Sequence, residues 1–373
     1  MSRECAACGE RAEPGDRFCE ECGETLPTPE VIEPDLASAP GTGSEDGAPA
    51  MARRTDLRAD IEAPAACPSC GSVTGATHGY CDACGRPRPD ARDHVEAQVR
   101  GAAALTDRGL VRARNEDAYG VVTLPGGVTA ATVCDGVASV PGGEEASLVA
   151  CEAAVDAAVL GADPDSTTPE DIARRSAEVA REAVAALAEG RRDPPACTYV
   201  GAVVAGEEIA VAWVGDSRAY WIADQEPDAG DTGYSRDNGD DGDTDDTTRL
   251  LTVDDSWAAE VIALGLFTPE AAWSDRRAHV ITRWLAADAP DLPVRTAVLR
   301  PEGPGALLLC SDGLWNHLPD PETLAALHRG AGGTKDLAES ARAMLGAALD
   351  DGGHDNTTLV LVAGGTRLAR DDA

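Results

Sequence analysis

Four aspartates stand where apolar, strand-like runs end or begin: Asp135 in "TVCDGVAS", Asp216 in "VGDSRAY", Asp312 in "LLLCSDGLW" and Asp355 in "GGHDNTTLVLV". A single Asp-Gly pair beside such a run is ordinarily a turn, in which Asp bonds its own backbone and Gly supplies a positive φ. Recurrence of the arrangement asks for a shared purpose. Carboxylates at strand ends are rigidly held oxygen donors, the kind that hard divalent cations take. The stretch "TDRGLVRARNEDAY", Thr106 to Tyr119, adds Arg112, Arg114, Glu116 and Asp117 just before another strand. Alone, it reads as a charged edge strand with paired surface charges.

Cysteines supply a second chemistry. Cys5, Cys8, Cys19 and Cys22 repeat the C-x2-C-x10-C-x2-C spacing of Cys67, Cys70, Cys81 and Cys84. An aromatic residue precedes the third Cys of each set, and Gly follows the second and fourth, which makes the sets an internal repeat. Paired C-x2-C turns place four thiolates at the corners of a tetrahedron, so each quartet is expected to close one structural Zn2+ site. The repeat resembles the short zinc-ribbon modules found in tandem at protein termini. Disulfides would need an oxidising compartment, for which "MSRECAACGE", lacking an apolar signal segment, gives no reason. Cys134, Cys151, Cys197 and Cys310 sit in apolar contexts and read as small buried hydrophobes.

The elements that must position these groups are dense after Arg92. Helical spacing of Ala, Val and Leu predicts helices over 144–160, 169–188, 255–265, 321–329 and 334–349, with Thr168-Pro169 as a cap and first-turn proline. "CTYVGAVVAG", "EEIAVAWVGDSRAYWIA", "VRTAVLR" and "GALLLCSD" read as strands. Strands and helices come in blocks, which favours sheets with helices packed outside over a doubly wound parallel sheet. Residues 27–63 read as a flexible linker between ribbons at 1–26 and 64–92, and a folded domain is expected over 100–368. Its acidic run at 224–248 interrupts a hairpin, reads as a solvated mobile loop and is assigned no chemistry.

Composition bounds the partners. The 373-residue chain carries 31 basic and 66 acidic residues, a net charge of −35, and Lys335 is its single lysine. Such a field repels nucleic acid and anionic membranes at long range. Ribbons often touch nucleic acid, but this charge points to protein docking or plain stabilisation instead. An acidic, lysine-poor surface resembles proteins from organisms that keep molar salt inside the cell, where screening shortens to about 3 Å. No apolar run approaches the roughly 18 residues a membrane span needs. A cytoplasmic location is expected.

In order, "VRARNEDAY", "VCDGVAS", "VGDSRAY", "VITRWLAAD", "LLLCSDGLWNHLPD" and "GGHDNTTLVLV" resemble the metal-dependent serine/threonine phosphatases, the type-2C or PPM family. The resemblance spans about Thr106 to Ala363. It implies an α+β, four-layer α-β-β-α sandwich with a dinuclear Mn2+ or Mg2+ site at one end. By position, Asp135 matches the carboxylate bridging both ions, and Gly136 would offer its backbone carbonyl. Asp312 and Asp355 match the remaining direct ligands, Glu116 and Asp117 match acids that hold metal-bound waters, and Asp216 matches a contributor to a third metal. Two cations about 3.5–4 Å apart would turn a bridging water into a hydroxide aimed at phosphorus. Arg112 matches the arginine that grips the phosphate by two points.

This sequence departs from the family pattern in places. Val137 stands where some relatives have a histidine proposed as general acid, so leaving-group protonation would fall to a metal-bound water. His354 replaces a common Arg before Asp355, and Cys197 replaces a frequent Gly. The implied function is hydrolysis of phosphoserine and phosphothreonine in phosphoproteins, opposing a Ser/Thr kinase. A catalytically marginal regulatory module is the alternative, and intact Asp135, Asp312 and Asp355 speak against it.

Overall fold

Apolar runs without clean alternation arise when a strand is covered on both faces, and that is how the central strands of this protein are placed. The computed structural model describes residues 91–161, 167–225, 247–290 and 292–365, residue 83, and five two-residue strands nearer the N-terminus. Backbone contacts divide the chain into Met1–Ala48 and Pro49–Ala373. In the first unit, β1 (Arg3–Glu4) pairs with β2 (Arg11–Ala12). In the second, β3 (Arg53–Arg54) precedes a small hairpin of β4 (Ala76–Thr77) and β5 (Tyr80–Cys81). Apart from the backbone of Cys81, both cysteine quartets lie outside the described residues. So do the rest of the 27–63 linker and residues 226–246 of the acidic run.

Two six-stranded antiparallel sheets follow. β8 (Ala118–Thr123), β9 (Thr129–Cys134), β10 (Tyr199–Ala205), β11 (Glu208–Val214) and β14 (Arg295–Leu299) form one sheet in the order β14-β11-β10-β9-β8-β3. The other is built from β6 (His94–Val99), β7 (Ala102–Asp107), β12 (Arg218–Ala223), β13 (Arg249–Leu250), β15 (Gly305–Cys310) and β16 (Thr357–Gly364). Its order is β13-β12-β15-β16-β7-β6. The acidic run thus joins paired strands, since β12 lies antiparallel to β13.

The period of two assigns side chains to layers. Along β15, Leu307 and Leu309 point into the core between the sheets with Val133, Val211 and Trp221. Ala306, Leu308 and Cys310 point the other way, against α6 (Pro321–Gly330) and α7 (Leu337–Asp350). On the outer face of the first sheet, α1 (Gly143–Gly161) and α2 (Pro169–Ala186) pack through Ala146, Ala150, Ala154, Ala177 and Ala180. Four layers result, α-β-β-α. Because the interior is mostly Ala, Val and Leu, packing density has to come from close approach instead of aromatic bulk.

The helices expected from periodicity form within a few residues of their sequence limits, and Thr168 caps α2 by accepting from the Asp171 amide at 3.1 Å. Two boundary readings change. β6 pairs with β7 from His94 onward, so the sheet begins before residue 100. Arg53 and Arg54, assigned to the linker, pair with Thr123 and Val122 of β8. Among the described residues, no helix is long and apolar enough to cross a membrane.

Candidate active site

Strand order explains why aspartates far apart in sequence meet. β9 and β11 are both antiparallel to β10, so they run the same way and end at one edge of the first sheet. Asp135 and Asp216 follow those ends. In the second sheet β15 and β16 are antiparallel, with Cys310 opposite Leu359, so the end of one lies beside the start of the other. Asp312 and Asp355 flank that junction. The four share a cleft of about 200 Å³ with Arg112, Glu116 and Gly136.

Backbone packing holds these groups in place. The Asp135 amide donates to Thr198 Oγ1 at 3.1 Å, and the Thr198 amide donates back to the Asp135 carbonyl at 2.8 Å. Gly136 donates its amide to the Glu116 carbonyl at 3.2 Å. A Cβ there would fall 2.5 Å from the Gly143 carbonyl carbon, so glycine is required by close packing against the start of α1. Gly313 is tighter still: its Cβ would lie 1.9 Å from the Asn356 carbonyl oxygen. The Asp312-Gly313 turn, which opens α5 (Asp312–Trp315), is thereby pressed onto the entry to β16.

Asn356, expected after Asp355 from the family resemblance but given no role in the sequence, is a staple. Its Nδ2 donates to the Arg108 and Arg114 carbonyls, both at 2.9 Å, and its Oδ1 accepts from the Glu116 amide at 2.8 Å. One buried amide thus fixes the loop that carries Arg112 and Glu116 against the strand that follows Asp355. Thr198 was likewise passed over, as were Trp315, whose Nε1 donates to the Asp216 carbonyl at 2.9 Å, and His279 in the cleft wall. An Asn after an Asp at a strand entry is a legible hint, but none of its three partners is local.

The electrostatics are lopsided. Asp117 lies beneath the cleft, 2% exposed, with Oδ2 accepting from Ser311 Oγ at 2.8 Å and Oδ1 without a partner. Burial pushes its carboxyl up to about 7. Burial and then repulsion from Asp355 raise Asp312 to about 6. Asp135 and Asp216 are pushed well above the usual carboxylate range by burial and by their acidic neighbours, and burial raises Glu116. Against all these stands one cation in the cleft lining, Arg112, which pairs with Asp355.

Buried carboxylates without counter-charges are costly, and cations of charge two are the economical remedy. The orphaned Asp117 oxygen and the all-oxygen donor set fit such ions. Among the described residues, no three acidic, His or Cys side chains are already closed around one point as a ligand cage. The carboxylates share a cleft, and Arg112 occupies one of them.

Residues 110–350 match the family model of protein phosphatase 2C. The chain belongs to that family. Residues 5–85 match the double zinc ribbon model, in the region of the two cysteine quartets. Over 265 residues the chain is 31% identical to the serine/threonine protein phosphatase PstP of Mycobacterium tuberculosis, covering 69% of this chain and 44% of that protein. It therefore spans less than half the length of that relative. The serine/threonine phosphatase stp of Listeria welshimeri is 29% identical over 264 residues, with 69% of this chain and 93% of that protein covered. Among solved structures, the M. tuberculosis phosphatase PstP/Ppp superposes with a TM-score of 0.55 at 26% identity, over 71% of this chain and 98% of that one. The PstP catalytic domain in complex with two manganese ions gives 0.52, also at 26% identity, over 70% and 97%.

Within this protein phosphatase 2C domain the four scattered cysteines are buried and free, as their apolar contexts suggested. None lines the cleft. His354 stacks on His317, with ring centroids 5.6 Å apart.

Proposed function

We propose that this chain is a metal-dependent phosphatase that hydrolyses phosphoserine and phosphothreonine in phosphoproteins, opposing a Ser/Thr kinase. The observation that carries the reading is the convergence of Asp135, Asp216, Asp312 and Asp355 in one cleft of a phosphatase-2C domain whose described lining holds a single arginine, Arg112. Asp135, the Gly136 carbonyl, Asp312 and Asp355 would hold two Mn2+ or Mg2+ ions. Glu116 and Asp117 would orient waters around them, and Asp216 would serve a third. Bound cations would supply Lewis-acid activation of the attacking water and offset the charge of the transferred group. Arg112 exchanges the Asp355 carboxylate for the phosphate, where its planar fork can make two parallel bonds. Among the described residues no thiol lines the cleft, so water would attack phosphorus directly. Turnover of a phosphoserine peptide should require Mn2+ or Mg2+ and vanish with EDTA; metal-independent turnover refutes the reading.

The quartets Cys5, Cys8, Cys19, Cys22 and Cys67, Cys70, Cys81, Cys84 are proposed to hold one structural Zn2+ each, as docking or stabilising modules. Elemental analysis should find two zinc ions per chain and one in a Cys67→Ser/Cys70→Ser variant that still turns over a small aryl phosphate. An unchanged zinc content overturns the assignment. The charge of −35 is read as adaptation to molar salt. Folding should then need about 1 M salt or more, and full cooperative stability at about 50 mM would contradict it.

A further inference from the structure

One wall of the cleft is formed by His279 and Ile281, in the segment between α4 (Pro269–Trp273) and β14. The His279 ring stacks on Trp315, with centroids 5.7 Å apart and planes at 29°, and lies 5.9 Å from Trp273. Trp315 is itself fixed: its Nε1 is bonded to the Asp216 carbonyl, and the Arg218 guanidinium lies 3.6 Å from its ring centroid. A side chain from a surface segment is thus tied to the strand end that presents Asp216.

Three other described histidines have at least one ring nitrogen engaged. His94 is bonded to Asp107, His317 to Asp351, and His328 to Asp224 and Ser340. His279 is exposed, and neither of its ring nitrogens has a hydrogen-bond partner among the described residues. Of the groups lining the cleft, the carboxylates are the candidate cation ligands, and Arg112 is held charged by Asp355. His279 is the one lining group that can give up a proton near neutrality without emptying a ligand position.

We propose that His279 donates the proton that the departing serine or threonine oxygen must acquire. The proposal rests on the phosphatase reading and adds a residue to it. Water oxygen forms the new bond to phosphorus and releases a proton. The bond from phosphorus to Oγ breaks with its electron pair on oxygen, and the His279 imidazolium protonates Oγ. The neutral imidazole regains a proton from solvent. Partial desolvation of the ring and then Arg218 lower the His279 pKa, against a smaller opposing pull from Asp254, which makes its imidazolium a stronger acid. Across the cleft it faces Arg112, Glu116, Asp135, Asp216, Asp312 and Asp355.

Leaving groups separate this role from a structural one. An alkoxide needs a proton, whereas p-nitrophenolate departs without one. In the full Mn2+-loaded chain, His279→Gln and His279→Ala should lower kcat for a phosphoserine peptide about 100-fold or more, within the range of general-acid catalysis. They should change kcat for p-nitrophenyl phosphate by less than about 3-fold, because no acid is required there. In the Mg2+-loaded wild type, the His279 ring signals in the NMR spectrum should shift when the phosphoserine peptide is added. Equal losses on both substrates, no loss on the peptide, or unshifted ring signals in an active enzyme would overturn the proposal alone. A wild type inactive on both substrates would overturn the phosphatase reading and this proposal with it.

Discussion

Asp254 and Asp216 are buried to nearly the same degree, 6% and 5% exposed, and Trp315 touches the surroundings of both. Their electrostatic situations are opposite. Asp254 receives two bonds from Arg218, at 2.9 and 2.7 Å, in a planar bidentate pair. Its neighbour Asp255, 1% exposed, accepts from the Gly215 amide and faces Arg295 at 2.8 Å and Arg283 at 3.5 Å. Asp216 has the carboxylates of Asp312 and Asp254 for neighbours, with only a weak pull from Arg218. Where the fold needs a buried carboxylate for its own sake, it supplies arginine. Where it gathers carboxylates without arginine, the missing charge has to come from outside the chain.

The largest effect expected from this contrast is on stability. Asp254→Asn leaves Arg218 buried without its partner charge and should cost about 3–5 kcal/mol, measured by denaturant unfolding. A cost below about 1 kcal/mol would show that Arg218 is satisfied by Trp315 and Tyr220 alone.

The cleft should behave in the reverse manner. Asp135→Asn should lower phosphatase turnover more than about 100-fold, beyond what loss of an outer partner of a metal ligand costs. In EDTA the same variant should be at least as stable as the wild type, since it removes a repelled carboxylate. Clear destabilisation of the metal-free variant would mean that Asp135 is paired after all.

A smaller effect concerns the one arginine lining the cleft. Arg112→Ala should raise KM for aryl phosphate about 10- to 100-fold, the worth of a charge-assisted bond, and lower kcat less. An unchanged KM would confine Arg112 to neutralising Asp355.

The gentlest probe is pH on the metal-free protein. Asp117 and Asp312 have folded-state values of about 7 and 6 against 3.8 for the unconstrained group. Between those limits the folded state binds more protons than the unfolded one, so unfolding free energy falls as pH rises. Stability in EDTA should therefore decline from about pH 4 to about pH 7, and added Mg2+ should restore more at the upper end. A flat profile would show that neither burial nor mutual repulsion raises these carboxyls.

Much of this contrast was invisible in sequence, and particular residues show why. "HVEAQV" at His94–Val99 alternates polar and apolar because it is an edge strand with one side towards solvent, so its signal was too weak to place. Arg218 finds Asp254 across 36 residues that include the acidic run, and Arg112 finds Asp355 across 243. No spacing rule joins positions so far apart, because the join is made by strand order. Asn356 was visible as a polar residue after Asp355, yet its role depends on three backbone groups delivered by another loop.

What the sequence determined by itself is local. Each aspartate was set beside an apolar run by residues immediately around it, the close-packed Gly136 and Gly313 directly follow Asp135 and Asp312, and each cysteine quartet carries its own spacing. These readings need only the periods of strand and turn. Tertiary structure decided which carboxylates receive an arginine and which do not, and it brought His279 to the cleft. Charge compensation is a property of neighbours in space, at distances of a few ångströms, and those neighbours exist only once two sheets have stacked and their ends have met.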